Sequence, residues 1–386
     1  MIYLDHNAST PVDPEVADVL YSVLRTNFGN PSSGHDIGVR AKTSIEKARL
    51  QVAGLIGASP EEVVFTSGGT ESNNLAIIGT ALMKKKGHII TSVIEHPSVT
   101  NPCAHLEAKG FECTYVRVDH EGMIAVEDIR KAIRKETFLI TLMHANNETG
   151  VMQSIEEIGA LARAKGISFH TDAAQTVGKV PVNVESLNVD MLTIATHKFY
   201  GPKGVGALYM RKGTKLNPLL FGAGHERGLK PGTENVPGIA GMGKACEMAE
   251  VCMKDRVSHT KRLTAMLYTG LREHIPGLRI NGHKTLRLPN TLNVCIPGID
   301  SSTLLESIKN SVAASSGSAC HAGERKPSAV LMAMGVSESD AMSSVRLSTG
   351  KDSTEEEIKE AVETIAMAMQ ALTHSPPLGR AIPEGG

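Results

Sequence analysis

The sequence predicts an α/β protein: a large domain built on a mostly parallel sheet flanked by helices, followed by a smaller α+β domain. Three observations predict it. Between Glu62 and Met210 short apolar runs alternate with helical patterns, the mark of a sheet wound with helices on both faces. Past Gly243 that alternation gives way to a long helical stretch and a few short strands. A chain of 386 residues also exceeds what one simple core organises, so one large and one smaller unit are expected.

Taken in order, the chain opens on a short apolar run followed by Asp5-His6-Asn7-Ala8-Ser9-Thr10-Pro11. Pro14 to Leu24 reads as a helix with Asp13 as N-cap and Pro14 at its first position. Phe28 to His35 is turn chemistry, and 36–57 carries helical spacing at Val39, Ile45, Ala48, Val52, Leu55 and Ile56. Strands are expected at Glu62–Thr66, His88–Ile94, Glu112–Val118, Phe138–His144, Ile167–Thr171, Val189–Ala195 and Gly206–Met210. Helices are expected between them at Glu71–Lys85, Ser98–Lys109, Val126–Arg134 and Ser154–Lys165. The second unit has a helix from Ala245 to about Glu273, strands at Arg279–Ile280, Thr291–Ile296 and Val312–Ser315, and helices at Ser302–Ile308 and Thr354–Leu372. The division expected is 12–250 for the large domain and 1–11 with 251–375 for the small one. The Pro/Gly-rich segment 376–386 reads as a flexible tail.

Composition narrows the function. A formal net charge of −1 gives no reason to expect nucleic acid or an anionic membrane as partner. No run of 18 apolar residues suggests a membrane span, and the first residues lack the basic and apolar regions of a secretory signal. The six cysteines form no CxxC pair, which argues against a zinc ribbon or a thioredoxin site and suits a reducing cytoplasm; no resident metal is expected. Tryptophan is absent, which weakens any base-stacking role.

Ligands of such sheets sit at the carboxyl ends of the strands, where Thr70, His96, Asn147, Asp172 and Lys198 fall. A lone lysine is ordinarily a solvated surface residue. Lys198, however, follows the apolar run Val189–Ala195, where burial would lower its pKa and make the amine nucleophilic. Asp172 ends the apolar run upstream. A lysine and an acid on neighbouring strand ends suit pyridoxal phosphate (PLP), the lysine bound at C4′ and the acid paired with the pyridinium nitrogen. His96 suits stacking on the ring and Gln175 suits its O3′, against the plainer readings of a satisfied histidine and a surface amide. Ser67-Gly68-Gly69-Thr70 joins a strand to a helix and suits a phosphate at the helix start, against an ordinary cap by Ser67 or Thr70. Cys320 lies in a run of Ser, Gly and Ala where a thiolate could move into a site, whereas the other cysteines read as structural, with Cys103 the second candidate. Arg346, alone in an apolar alternation, suits a bidentate clamp on a carboxylate or else a surface salt bridge.

Together Thr66-Ser67-Gly68-Gly69-Thr70-Glu71-Ser72-Asn73-Asn74, Asn146-Asn147-Glu148-Thr149-Gly150, Asp172-Ala173-Ala174-Gln175, His197-Lys198-Phe199-Tyr200-Gly201-Pro202-Lys203-Gly204 and Ser315-Ser316-Gly317-Ser318-Ala319-Cys320 resemble the cysteine desulfurases of the NifS/IscS type. These belong to the class V aminotransferase group of fold type I PLP enzymes. The resemblance covers nearly the whole chain. It implies that Lys198 is the Schiff-base lysine, that Asp172 pairs with the ring nitrogen and Gln175 with O3′, and that His96 stacks on the ring. Gly69, Thr70 and His197 would hold the phosphate, joined by Thr233 of a neighbouring subunit in a homodimer. Arg346 and Asn147 would bind the substrate carboxylate, and Cys320 would take the sulfur.

Two departures stand out. The family's Ser-Gly-His-Lys is here Ala195-Thr196-His197-Lys198, so a phosphate-binding hydroxyl is missing at Ala195 unless Thr196 replaces it. Cys320 is followed by His321-Ala322-Gly323 where bacterial members usually have Thr-Ser, a pairing similar to that of the selenocysteine lyases. The function implied is conversion of L-cysteine to L-alanine with a persulfide on Cys320, passed to an acceptor protein such as an iron–sulfur scaffold or a carrier for tRNA thiolation. Selenocysteine lyase is the alternative; an aminotransferase and a non-catalytic scaffold are more distant ones.

Overall fold

The computed structural model describes residues 1–316, 320–321 and 324–374, with the backbone alone for 320, 321, 324, 325 and 374. The tail 376–386 and residues 317–319 and 322–323 of the cysteine segment lie outside the described residues.

In chain order the elements are β1 (Ile2–Tyr3), α1 (Pro14–Thr26), α2 (Asp36–Ile56), β2 (Val63–Thr66), α3 (Gly69–Ala81), β3 (His88–Ser92), α4 (Pro97–Glu107), β4 (Glu112–Val116), α5 (Val126–Ala132), β5 (Thr137–Met143), α6 (Ile155–Lys165), β6 (Ser168–Asp172), β7 (Met191–Ala195) and β8 (Gly206–Met210). Then come α7 (Val236–His274), β9 (Arg279–Ile280), β10 (Thr291–Cys295), α8 (Ser301–Ile308), β11 (Val312–Ala313), β12 (Ser315–Ser316), β13 (Cys320–His321), β14 (Glu324–Arg325), α9 (Ala329–Ala333), α10 (Glu338–Met342), β15 (Ser344–Ser348) and α11 (Glu355–His374).

The large sheet has seven strands in the order β2-β8-β7-β6-β5-β3-β4. β4, β3, β5, β6 and β7 run parallel, while β8 is antiparallel to both of its neighbours. The interior strands read as continuous apolar runs because both faces are covered. Met191 to Ala195, for instance, is buried at every position. One face packs Ile90, Ile140, Phe169, Leu192 and Ile194 against α2, α6 and α7. The other sets Val64, Ile89, Leu139 and Leu208 against Leu75 and Ile77 of α3 and Val99 and Leu106 of α4. Each such side chain contributes about 1.5–3 kcal/mol by leaving water.

A second sheet, β12-β15-β10-β9, is antiparallel and packs on α8, α11 and the later turns of α7. β1 pairs in parallel with β11, so Ile2 and Leu4 join this core although they begin the chain. The chain then crosses to the large sheet, where the N–H of Thr10 donates to the His197 carbonyl at 2.9 Å. Residues 5–10 therefore form a strap between the two sheets.

Several boundaries differ from expectation. The helix expected from Ala245 starts at Val236, capped by Asn235, and runs 39 residues, through position 250/251. Gly238, Gly241 and Gly243 disguise its first turns as a loop. The reason for one of them is contact: a Cβ on Gly243 would lie 2.7 Å from that of Ala48 on α2. The helix expected from Glu71 begins at Gly69. The strand expected at 312–315 is two short strands in different sheets. β15, which carries Arg346, pairs with both β10 and β12 inside the second sheet.

Candidate active site

β6 and β7 lie side by side, with Asp172 opposite Thr193. Asp172 is the last residue of β6, and β7 runs on through a 3-10 turn, Thr196–Lys198. Adjacent strands lie about 4.8 Å apart, so this register alone brings the acid and the lysine to one spot. They open into a cavity of about 340 Å³ that Gly69, Thr70, His96, Asn147, Gln175, His197 and Arg346 also line. Nine residues singled out in the sequence are thus together.

Lys198 donates to the carbonyls of Asn7 and Ala8, both at 2.8 Å. Burial, and next the charge of Arg346, lower its pKa from the usual lysine value to about 8, against the pull of Asp172 and Asp5. The Asp172 carboxylate accepts from the Ala174 N–H at 2.9 Å and from Asn73 Nδ2 at 2.7 Å. Asn73 also donates to Ser98 Oγ at 2.8 Å, and Ser98 Oγ lies 2.7 Å from His96 Nδ1. The Ser98 N–H donates to the same Nδ1 at 3.1 Å, which makes that nitrogen an acceptor. Burial lowers the His96 pKa as well, against the raising effect of Asp172. The ring is therefore neutral, with Nε2 carrying the proton.

The start of α3 has no side-chain cap. Its N-cap is Gly68, not Ser67 or Thr70, so no side chain competes for the first-turn N–H groups. His197 adds a neutral ring, its pKa held down to about 4 by burial and by Lys198, with Nδ1 3.3 Å from Ser9 Oγ. Thr196 does not take the place of the missing serine hydroxyl. Ala195 lines the cavity, whereas Thr196 is fully buried on the side of Gly201, and its Oγ1 has no hydrogen-bond partner.

Arg346 is 8 % exposed and forms a partly buried ion pair with Asp5, Nη2 to Oδ1 at 2.7 Å, so the surface salt bridge is corrected to a largely internal one. Nη1 donates to the Asn147 carbonyl at 3.0 Å, and the buried Nε has no partner. Gln175 is likewise no surface amide: it is buried and donates to the Asn7 carbonyl at 3.0 Å.

Two candidates lie elsewhere, and a third is described by its backbone alone. Thr233 is exposed and borders a separate cleft with Arg49, His225 and Glu234. Cys103 is fully buried among Leu75, Val99 and Leu106, its thiol pKa driven up first by a hydrogen bond with Cys113 and then by burial. The Cys320 backbone pairs with Arg325 in the β13–β14 hairpin, and its side chain lies outside the described residues.

The sequence reading assigned no role to Asn7, Ala8, Asp5, Asn73 or Ser98. Asn73 had a usable signal, since it lies one helical turn past Gly69 and Thr70 and shares their face of α3. Asn7 and Ala8 act through backbone carbonyls, which no residue type announces.

The chain matches the family model described as aminotransferase class-V over residues 2–361. It is 46% identical over 380 residues to a cysteine desulfurase IscS of Methanosarcina thermophila, covering 98% of this chain and 94% of that one. Identity to the cysteine desulfurase IscS of Dictyoglomus turgidum is 45% over 374 residues, covering 96% and 95% of the two chains. Among solved structures, one described as a NifS-like protein superposes with a TM-score of 0.90 at 38% identity, over 96% of this chain and 99% of that one.

Proposed function

The chain belongs to the class-V aminotransferase family, and from that premise we propose that its site converts L-cysteine to L-alanine with PLP as cofactor, leaving the sulfur as a persulfide on Cys320. The observation that carries this reading is the meeting of the Lys198 amine, the Asp172 carboxylate and the Arg346 guanidinium in one cavity. The relatives named above carry the desulfurase name, so cysteine is taken over selenocysteine as substrate.

The residues fit the cofactor. A helix start without a side-chain cap suits a phosphate. A carboxylate already held by two N–H donors suits a pyridinium N–H, and an amine of lowered pKa suits an aldehyde carbon. PLP, when bound, supplies an electron sink that makes the Cα proton of an attached amino acid acidic. Lys198 would carry the cofactor and, once displaced by substrate, move the Cα proton. Asp172, oriented by Asn73, would hold the proton on the ring nitrogen. His96 would cover the ring face and Gln175 would donate to its O3′. Gly69, Thr70 and His197 would hold the phosphate, with Thr233 supplied by a second copy of the chain. Arg346, aimed by Asp5, would bind the substrate carboxylate beside Asn147. The Cys320 thiolate would attack the substrate sulfur: the S–S bond forms as the Cβ–S bond breaks, the Cβ–S electron pair stays with the carbon fragment, and that fragment takes up a proton at Cβ and leaves as alanine. The persulfide would then pass to an acceptor protein.

Product analysis with cysteine and a thiol reductant tests the reading. Equal amounts of alanine and sulfide are expected; a keto acid would overturn it. Because Thr233 lies away from the cavity of its own chain, a homodimer is expected, and a fully active monomer in sedimentation would exclude it. The Lys198 pKa adds a pH prediction. Attack on an aldehyde needs the free amine, which is scarce below the pKa and dominant above it. Uptake of PLP by the apoprotein, followed by its visible absorbance, should therefore accelerate with a midpoint near pH 8, rather than the ~10.4 of an ordinary lysine.

A further inference from the structure

Behind Gln175 lies a second, half-buried amine that the reaction above does not use. The turn after β6 places it there. Gly178 has φ +77°, and a Cβ on it would lie 2.5 Å from that of the buried Phe199, next to Lys198. This close approach turns the chain back, so that Lys179 reaches under Gln175. Its Nζ donates to Gln175 Oε1 at 2.8 Å and to Asn7 Oδ1 at 2.9 Å. Among the described residues it has no acidic partner within ion-pair distance. Even partial burial of an amine without an ionic partner costs stability.

We propose that Lys179 is a positioning residue that pins the Gln175 amide so that its N–H side faces the cofactor's ring oxygen. The inference rests on the PLP reading above. Which end of an amide is oxygen follows from its partners. As an ammonium Lys179 has donors only, and the Gln175 atom facing it is then oxygen. The Asn7 carbonyl is an acceptor only, so the atom facing it is nitrogen, at 3.0 Å. Two independent neighbours select the same orientation. With Oε1 held and one N–H given to Asn7, Gln175 has its second N–H left for the cavity it lines. That donor favours an anionic ring oxygen over a hydroxyl that would itself need to donate.

The charges around Lys179 oppose its ammonium form, so the two acceptor oxygens, Gln175 Oε1 and Asn7 Oδ1, are what hold the proton on it. Lys198 and Arg346 repel it and, after burial, hold its pKa well below the usual lysine value. Burial, and after it Lys179, hold the His6 ring down to about 4. Lys198 is itself faced by Asp172 and Asp5.

The test uses the PLP-loaded enzyme and reads the pH midpoint of its visible spectrum without substrate. Borohydride trapping reports separately whether the cofactor is on Lys198. Lys179→Met is expected to keep the label on Lys198 and to move the midpoint up by about one unit, a tenfold change in proton affinity, because the donor toward the ring oxygen is no longer held. Lys179→Gln, which restores an N–H donor, should recover part of the shift, and it carries the measurement if Lys179→Met does not retain PLP. In a Gln175→Leu background Lys179→Met should shift the midpoint no further, since the effect passes through Gln175. An unmoved midpoint, or equal shifts in both backgrounds, overturns the inference alone. Absence of label on Lys198 in the unaltered protein overturns the PLP reading and this inference with it.

Discussion

Lys198→Ala is expected to abolish alanine formation from cysteine and to remove the covalent link to PLP that borohydride makes permanent. The loss should be at least about 10³-fold, since on the proposed reading one side chain would both carry the cofactor and move the proton at Cα. Three cationic side chains compete for the assignment. Lys203 lies beyond the turn that follows Lys198 and is absent from the lining of the Asp172 cavity. Lys179 is close, but its amine is engaged with Gln175 and Asn7 and does not line that cavity either. Arg346 is not a nucleophile at any ordinary pH. The substitution should leave the fold intact, because the Lys198 amine is held by two backbone carbonyls, and water or an added small amine can replace it there. Peptide mapping after borohydride reduction checks the result. A label on Lys179 or Lys203 in the unaltered protein would sink the assignment.

Cys320→Ser is expected to separate the two halves of the reaction. Lys198, Asp172 and Arg346 are untouched, so the variant should bind PLP and change its visible spectrum when cysteine is added. It should lose the protein persulfide and slow desulfuration by at least about 100-fold, because a serine hydroxyl is a far weaker nucleophile toward sulfur than a thiolate. Mass spectrometry of the cysteine-treated protein should place one extra sulfur on Cys320. The competing thiol is Cys103. It sits in the apolar layer between α4 and the sheet, is fully buried, and its pKa is pushed up, so thiolate is scarce there. An extra sulfur found on Cys103 would overturn the assignment.

Much of the site was legible because its chemistry rides on strand ends. Asp172 and Lys198 each follow an apolar run, and strands that alternate with helices deliver their carboxyl ends to one edge of the sheet. Arg346 was legible as a lone charge in an apolar alternation. Its partner was not: Asp5 precedes it by 341 positions and meets it because β1 and β15 belong to one small unit. The Thr196 question was also closed to sequence reasoning. The residue types left open whether Thr196 stands in for the missing hydroxyl, and the 3-10 turn rotates that hydroxyl into the core.

By itself the sequence determined the alternation of strands and helices, and so the sheet and the edge where ligands bind. It also determined the reactive groups, because an amine, a carboxylate, a guanidinium and a thiol carry their chemistry wherever they lie. Only the tertiary structure decided how those groups are held. The strap 5–10 turns the carbonyls of Asn7 and Ala8 toward Lys198, Asn73 links Asp172 to His96 through Ser98, and Lys179 fixes one face of Gln175. The physical reason is that backbone carbonyls are chemically identical at every position and amide ends differ only by their partners. Their roles exist only once distant segments have packed and chosen those partners.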